Sequence, residues 1–120
     1  MHELSIAQNI VEIVRARIPE EDLSNVRTLS VRIGVMAGVV PDSLEFCFSA
    51  IVGDTPIKNV RLEIESVPYA IHCTTCDRQT VLEYGMAICP SCGSPHTNVI
   101  SGTELDLVEI VLEEPFPESR

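Results

Sequence analysis

Two Cys-x2-Cys pairs, Cys73/Cys76 and Cys89/Cys92, are separated by 12 residues and constrain this chain more than any other feature. Each pair brings two sulfurs to one side of a tight knuckle, and two facing knuckles make the tetrahedral thiolate cage that zinc prefers. A redox Cys-x-x-Cys of thioredoxin type occurs once, at the start of a helix in a βαβ unit. Here the motif is duplicated among turn residues, so the spacing points to Zn(II). A four-sulfur shell leaves no open position for water, which makes its expected role structural. The surrounding segment 68–102 holds four of the five cysteines, few charges and no helical period. A module of 35 residues with so little apolar content depends on its metal to fold. Arg78 is its only Lys or Arg, which argues against nucleic acid as a partner. His72 precedes the first cysteine and His96 follows the last by four positions. Either is a candidate secondary zinc ligand, replacing a sulfur or hydrogen-bonding to one, although four sulfurs already satisfy the ion.

The segments on either side carry ordinary folding patterns. Leu4, Ala7, Val11, Val14 and Ile18, widened by Ile10, recur at spacings of three and four, which predicts an amphipathic helix ended by Pro19. Glu3 near its start and Arg15 and Arg17 in its last turn suit the helix dipole. Between Val26 and Val35 the period falls to two, with Leu29, Val31, Ile33 and Val35 on one side. Gly34 and Gly38 bracket a looser stretch, and Pro41, Asp42, Ser43 and Glu45 then signal a second helix that places Leu44, Phe48 and Ile51 on one face and stops at Gly53. Residues 60–67 alternate as a strand with a charged outer face, and 103–112 form a final strand whose parity switches midway. The last strand is too short to form a sheet alone and pairs most simply with the earlier ones. The fold class is therefore α+β: two helices packed on a small three-stranded sheet, with a zinc-ribbon-like module inserted. The domains are 1–67 plus 103–120, and 68–102. The acidic, proline-broken tail from Glu113 is expected to fray.

At 120 residues there is room for one compact domain carrying a small module, and not for a large enzyme. No phosphate loop, nucleophile constellation or open metal site supports an enzymatic reading. Eight Lys and Arg against 18 Asp and Glu give a net charge of −10, which disfavours phosphate backbones and anionic membranes. No apolar run approaches the roughly 20 residues that cross a bilayer. The first residues lack the pattern of a secretory leader, so a reduced, cytoplasmic location is expected.

Met1-His2-Glu3 offers a second metal site. A histidine at position 2 hinders removal of the initiator methionine, leaving the α-amine on Met1. That amine, the His2 backbone nitrogen and the imidazole close a five- and a six-membered chelate ring around one ion. Donors in one plane suit Ni(II) or Cu(II) rather than zinc. Completing the square takes one more donor, the Glu3 backbone nitrogen or a carboxylate.

MHELSIAQNIVEIV at the start, IGVMAGVVPDSLEFCF in the middle and the paired knuckles resemble the hydrogenase nickel-incorporation metallochaperone family, HypA/HybF, over nearly the whole chain. The resemblance implies Ni(II) as cargo, with His2 as principal ligand and Met1 and Glu3 beside it. It implies zinc at Cys73, Cys76, Cys89 and Cys92, and a carboxylate approaching the nickel site from Asp42. The other reading of Asp42 is a helix cap, since it stands three before Glu45. Cys47 matches no ligand and is expected to pack as a small apolar residue. Implied partners are a nickel maturation GTPase, the hydrogenase large subunit and, in some organisms, the urease maturation proteins, with the chain itself a monomer or weak homodimer. The rival reading is a zinc-ribbon adaptor without nickel activity.

Overall fold

A computed structural model of the chain describes residues 3–83 and 85–113. In order, these form α1 (Glu3–Arg17), a 3-10 helix (Glu20–Asn25), β1 (Val26–Gly34), α2 (Pro41–Val52), β2 (Arg61–Val67), β3 (Tyr69–Cys73), β4 (Gln79–Leu82), β5 (Thr97–Ser101) and β6 (Leu105–Leu112). One three-stranded sheet has the order β2-β1-β6, so the last strand does join the earlier ones; a second has the order β4-β3-β5. The α+β expectation holds, while the second sheet goes beyond a module read as knuckles and turns. Its strands are four and five residues long, too short for period two to register against the cysteine and proline background.

The described residues divide into two compact units. The first comprises the chain up to Val31, Val39–Ile64 and the residues from Leu107 on; the second comprises Arg32–Gly38 and Glu65–Asp106. In the first, α1 and α2 are neighbours. Ile6, Ala7, Ile10 and Val14 of α1, Leu44, Phe48 and Val52 of α2, and Leu29 and Val31 of β1 are buried there, with Leu23 and Ile57. Each of these side chains larger than Ala7 contributes roughly 1.5–3 kcal/mol of burial.

The buried face of α1 is rotated from the one its sequence spacing marks. Leu4 is 46% exposed, and Val11 and Ile18 are half-buried. At about 100° per residue, Leu4, Val11 and Ile18 fall on one edge of the apolar arc and Ile6 on the other, and the core takes the Ile6 side. In α2 the third buried position is Val52, with Ile51 half-buried. Gly53 does end α2, but in right-handed helical geometry at φ −57°, so its freedom to adopt positive φ is not used. Asp42 is not the cap. Val40 holds that position with extended backbone and Pro41 is the first helical residue, where its fixed φ suits the turn and its missing N–H costs nothing. Val35 lies beyond β1 and is 51% exposed. In β6 the half-buried positions are Leu107 and then Ile110 and Leu112, a parity switch as expected.

In the second unit two glycines allow backbones to touch. A Cβ on Gly34 would stand 2.0 Å from the Gly102 carbonyl, and one on Gly102, at φ +114°, would stand 2.6 Å from Tyr69 Cα. The N–H groups of Gly34, Val35 and Met36 donate to the carbonyls of Glu104, Val67 and Gly102 at 2.8–3.0 Å, which fixes the segment after β1 against that crossing. Gly34→Ala is therefore expected to destabilise the protein by about 3 kcal/mol, the upper range for overpacking. Gly53→Ala, whose nearest neighbours lie at 3.8 Å, should be close to neutral in the same denaturant titration.

Candidate metal centre

The two Cys-x2-Cys segments fold into knuckles with the same pattern of backbone hydrogen bonds. In the first, the Cys73 N–H donates to the Arg78 carbonyl at 2.8 Å and the Asp77 N–H returns to the Cys73 carbonyl at 2.8 Å; in the second, Cys89 donates to Ser94 at 3.0 Å and Gly93 returns to Cys89 at 2.7 Å. Both turns need a left-handed residue just after the second cysteine. Asp77 supplies it at φ +62° and Gly93 at φ +76°. Glycine is the default there, and aspartate is among the few side chains that tolerate it. The knuckles are tied together where the Thr75 and Ser94 hydroxyls meet at 2.8 Å. The Thr74 hydroxyl and N–H both donate to the His96 carbonyl, at 2.8 and 3.0 Å.

This framework brings the four sulfurs within 4.8 Å of one another. Cys73 and Cys92 sulfurs stand 3.6 Å apart, and Cys76 and Cys89 sulfurs 3.7 Å. A tetrahedron with metal–sulfur bonds of about 2.3 Å has edges of about 3.8 Å, so the donor set fits a tetrahedral thiolate-binding ion. Cys73 and Cys89 are buried, Cys76 is half-buried and Cys92 is exposed. The first cysteine of each knuckle is made acidic by the backbone. The Cys76 N–H donating to its sulfur is the main cause that lowers Cys73 to about 6, with burial opposing it. The Cys92 N–H lowers Cys89 in the same way. Burial and then the neighbouring sulfurs push Cys76 up to about 12. At Cys92 the Ser94 N–H acts to lower the value, but burial and the Cys73 and Cys89 sulfurs outweigh it and the thiol is raised. Backbone N–H groups thus favour the thiolate at the first cysteine of each knuckle, while burial and the neighbouring sulfurs oppose it at the second.

Among the described residues the cluster contains neither histidine. Alternation along β3 puts His72 on the face opposite Cys73, where its Nε2 meets Asp77 Oδ1 at 2.7 Å. His96 is exposed, and its carbonyl rather than its ring enters the knuckle bonding. Cys47 is half-buried in α2 and is not one of the clustered cysteines. Sequence reasoning did not single out Asp77, although its place after the second cysteine, equivalent to Gly93, was the available signal.

Of the amino-terminal candidates, Met1 and His2 lie outside the described residues. Glu3 opens α1, and its Oε2 accepts the Val40 N–H at 2.9 Å. Asp42 is exposed in the first turn of α2. No helix among the described residues is long and apolar enough to cross a membrane.

Comparison with known proteins brings these features together. Residues 1–112 match the family described as hydrogenase/urease nickel incorporation, metallochaperone, hypA. The chain is 43% identical over 111 residues to the hydrogenase maturation factor HypA of Chloroflexus aggregans, covering 92% of this chain and 97% of the relative. It is 41% identical over 115 residues to the factor of the same name from Geobacter metallireducens, covering 94% and 100%. Two solved structures share its fold. One is the solution structure of the Ni metallochaperone HypA from Helicobacter pylori, with TM-score 0.64, 17% identity and coverage of 93% and 97%. The other is a solution structure of a HypA protein, with TM-score 0.68, 16% identity and coverage of 94% and 97%. A match along nearly the whole length, relatives above 40% identity and the duplicated knuckle lead to one conclusion: this chain belongs to the HypA family of hydrogenase/urease nickel-incorporation metallochaperones.

Proposed function

We propose that this protein is a non-enzymatic nickel carrier that binds Ni(II) at its amino terminus and delivers it during maturation of a nickel-iron hydrogenase, and of urease where that enzyme is present. The family match over residues 1–112 is the observation that carries this reading. The Met1 amine, the His2 backbone nitrogen and the His2 imidazole form the planar chelate, and Asp42 or the Glu3 backbone completes the square. Cys73, Cys76, Cys89 and Cys92 hold Zn(II), a coordinatively full site that shapes a docking module and takes no part in chemistry. Residues 1–67 and 103–120 make the nickel part and 68–102 the zinc part.

Delivery requires release. A chelate built from one side chain and a chain end can be dismantled one donor at a time, whereas four thiolates on a bonded framework hold their ion. The −10 charge attracts a divalent cation and disfavours nucleic acid. The receiving partners are a nickel maturation GTPase and the hydrogenase large subunit, in the cytoplasm. Protein loaded with radioactive Ni(II) and with zinc, incubated with that GTPase and the nickel-free large subunit, should lose its nickel to them and keep its zinc. Retention of nickel, or joint loss of both metals, would contradict the reading.

A further inference from the structure

We propose that His72 and Asp77 form a latch that holds the first knuckle in the shape the metal requires, so that His72 acts on the cage by positioning and not as a ligand. The latch is the bond from His72 Nε2 to Asp77 Oδ1 at 2.7 Å. The proposal rests on the reading of Cys73, Cys76, Cys89 and Cys92 as a metal site.

The two knuckles share one backbone pattern but obtain it differently. In the second, Gly93 reaches φ +76° with no Cβ to clash. In the first, Asp77 stands at φ +62°, the only non-glycine residue at positive φ among those described. A Cβ there crowds the following carbonyl oxygen, so the position needs support from outside the turn. His72 gives it that support. It lies in β3, paired with Gln79 of β4 on one side and Asn98 of β5 on the other. Its side chain is 29% exposed, against 91% for Asp77, so the sheet already holds the ring and only the carboxylate has to be ordered. An ordinary surface pair gains little because both long partners lose freedom. Neither residue belongs to the four-sulfur cluster. The turn that Asp77 closes does bear on it: the Asp77 N–H donates to the Cys73 carbonyl at 2.8 Å, and within the same turn the Cys76 N–H points to Cys73 Sγ at 3.5 Å. Loosening Asp77 therefore frees the Cys76 half of the first knuckle and leaves the second as it was.

Two readouts on the full chain at one fixed pH test the latch: Zn(II) affinity by competition with a chromophoric chelator, and alkylation of each cysteine in the zinc-loaded protein, followed by mass spectrometry. His72→Ala should weaken Zn(II) about fivefold, the range of one net hydrogen bond, and raise alkylation of Cys76 by a similar factor while Cys89 and Cys92 react at their original rates. His72→Gln, which keeps an N–H at the reach of Nε2, should restore both. Asp77→Gly should hold affinity within about twofold, because glycine needs no latch, and His72→Ala added to it should cost nothing further. The absorption bands of Co(II) bound in place of zinc should keep their wavelengths in every variant. His72→Ala without effect, an equal loss in the Asp77→Gly background, or alkylation that rises equally at all four cysteines would overturn the latch, and so would Co(II) bands that shift with His72→Ala, which would make His72 a ligand. Should His72→Ala fail to fold, His72→Leu, which fills the space without a donor, takes its place in every comparison. Cys73→Ser guards the premise: Zn(II) affinity undiminished in that variant refutes the cage itself, separately from the role of His72.

Discussion

Removing metal from the four cysteines is expected to unfold β3, β4 and β5 while α1 and α2 stay folded. Among the described residues between Pro68 and Gly102 the buried apolar side chains are Tyr69, Ile71, Cys73 and Cys89, so half of that small core is the cage itself. Two apolar residues cannot offset the backbone entropy of about 1–2 kcal/mol for each residue ordered, whereas binding of structural zinc contributes about 10–16 kcal/mol at neutral pH. The strand pairings Ile71 with Thr80 and Ile71 with Val99 run directly into the knuckles, and they lose their anchor when the sulfurs repel or oxidise. The first unit has its own core from Ile6 to Ile57 and should keep it. Amide exchange by mass spectrometry after chelation, or on Cys73→Ser, should show protection lost across 69–101 and kept across α1, α2 and the first half of β1. Uniform protection in the chelated protein would mean that the module folds without metal.

Replacing His2 with Ala is expected to weaken Ni(II) binding at least a hundredfold, which exceeds the 10–100-fold typical of losing a residue that merely supports a ligand. In the proposed site the imidazole closes the six-membered ring of the chelate. Without it, the amine and one backbone nitrogen form a single ring, and the imidazole donor and its chelate ring are both lost. Zinc content should be unchanged, because a tetrahedral thiolate cage and a planar nitrogen site select different ions. A His2→Ala protein that still binds nickel at full strength would support an adaptor role with no amino-terminal site.

What could be read from the sequence tracks how local the cause is. The cage was legible because ligand identity and spacing are properties of a few adjacent residues, and Cys73, Cys76, Cys89 and Cys92 do converge. The strand at 26–34 and the helix opened by Pro41 were legible for the same reason, since period and proline act within one turn or one pleat. The rotation of α1 was not, because Leu4 and Ile6 are equally apolar and only the neighbouring helix and sheet decide which is covered. Nor was the bond from Glu3 to Val40, which joins residues 37 apart. The contact of Gly34 with Gly102 spans a still longer stretch of chain. Asp42 illustrates a further difficulty: two local rules competed for the cap, and Pro41 moved it to Val40.

The proposed carrier role requires a free amine at Met1 that shares one planar ion with the imidazole beside it. Acetylating that amine, by chemical ligation of an acetylated first segment, leaves His2, Glu3, Asp42 and all four thiolates in place while deleting a single donor. Calorimetric titration of Ni(II) into the zinc-loaded acetylated chain should show no high-affinity site, against one equivalent for the unmodified chain. Equal stoichiometry and affinity in both would place the nickel elsewhere on the molecule and contradict the account.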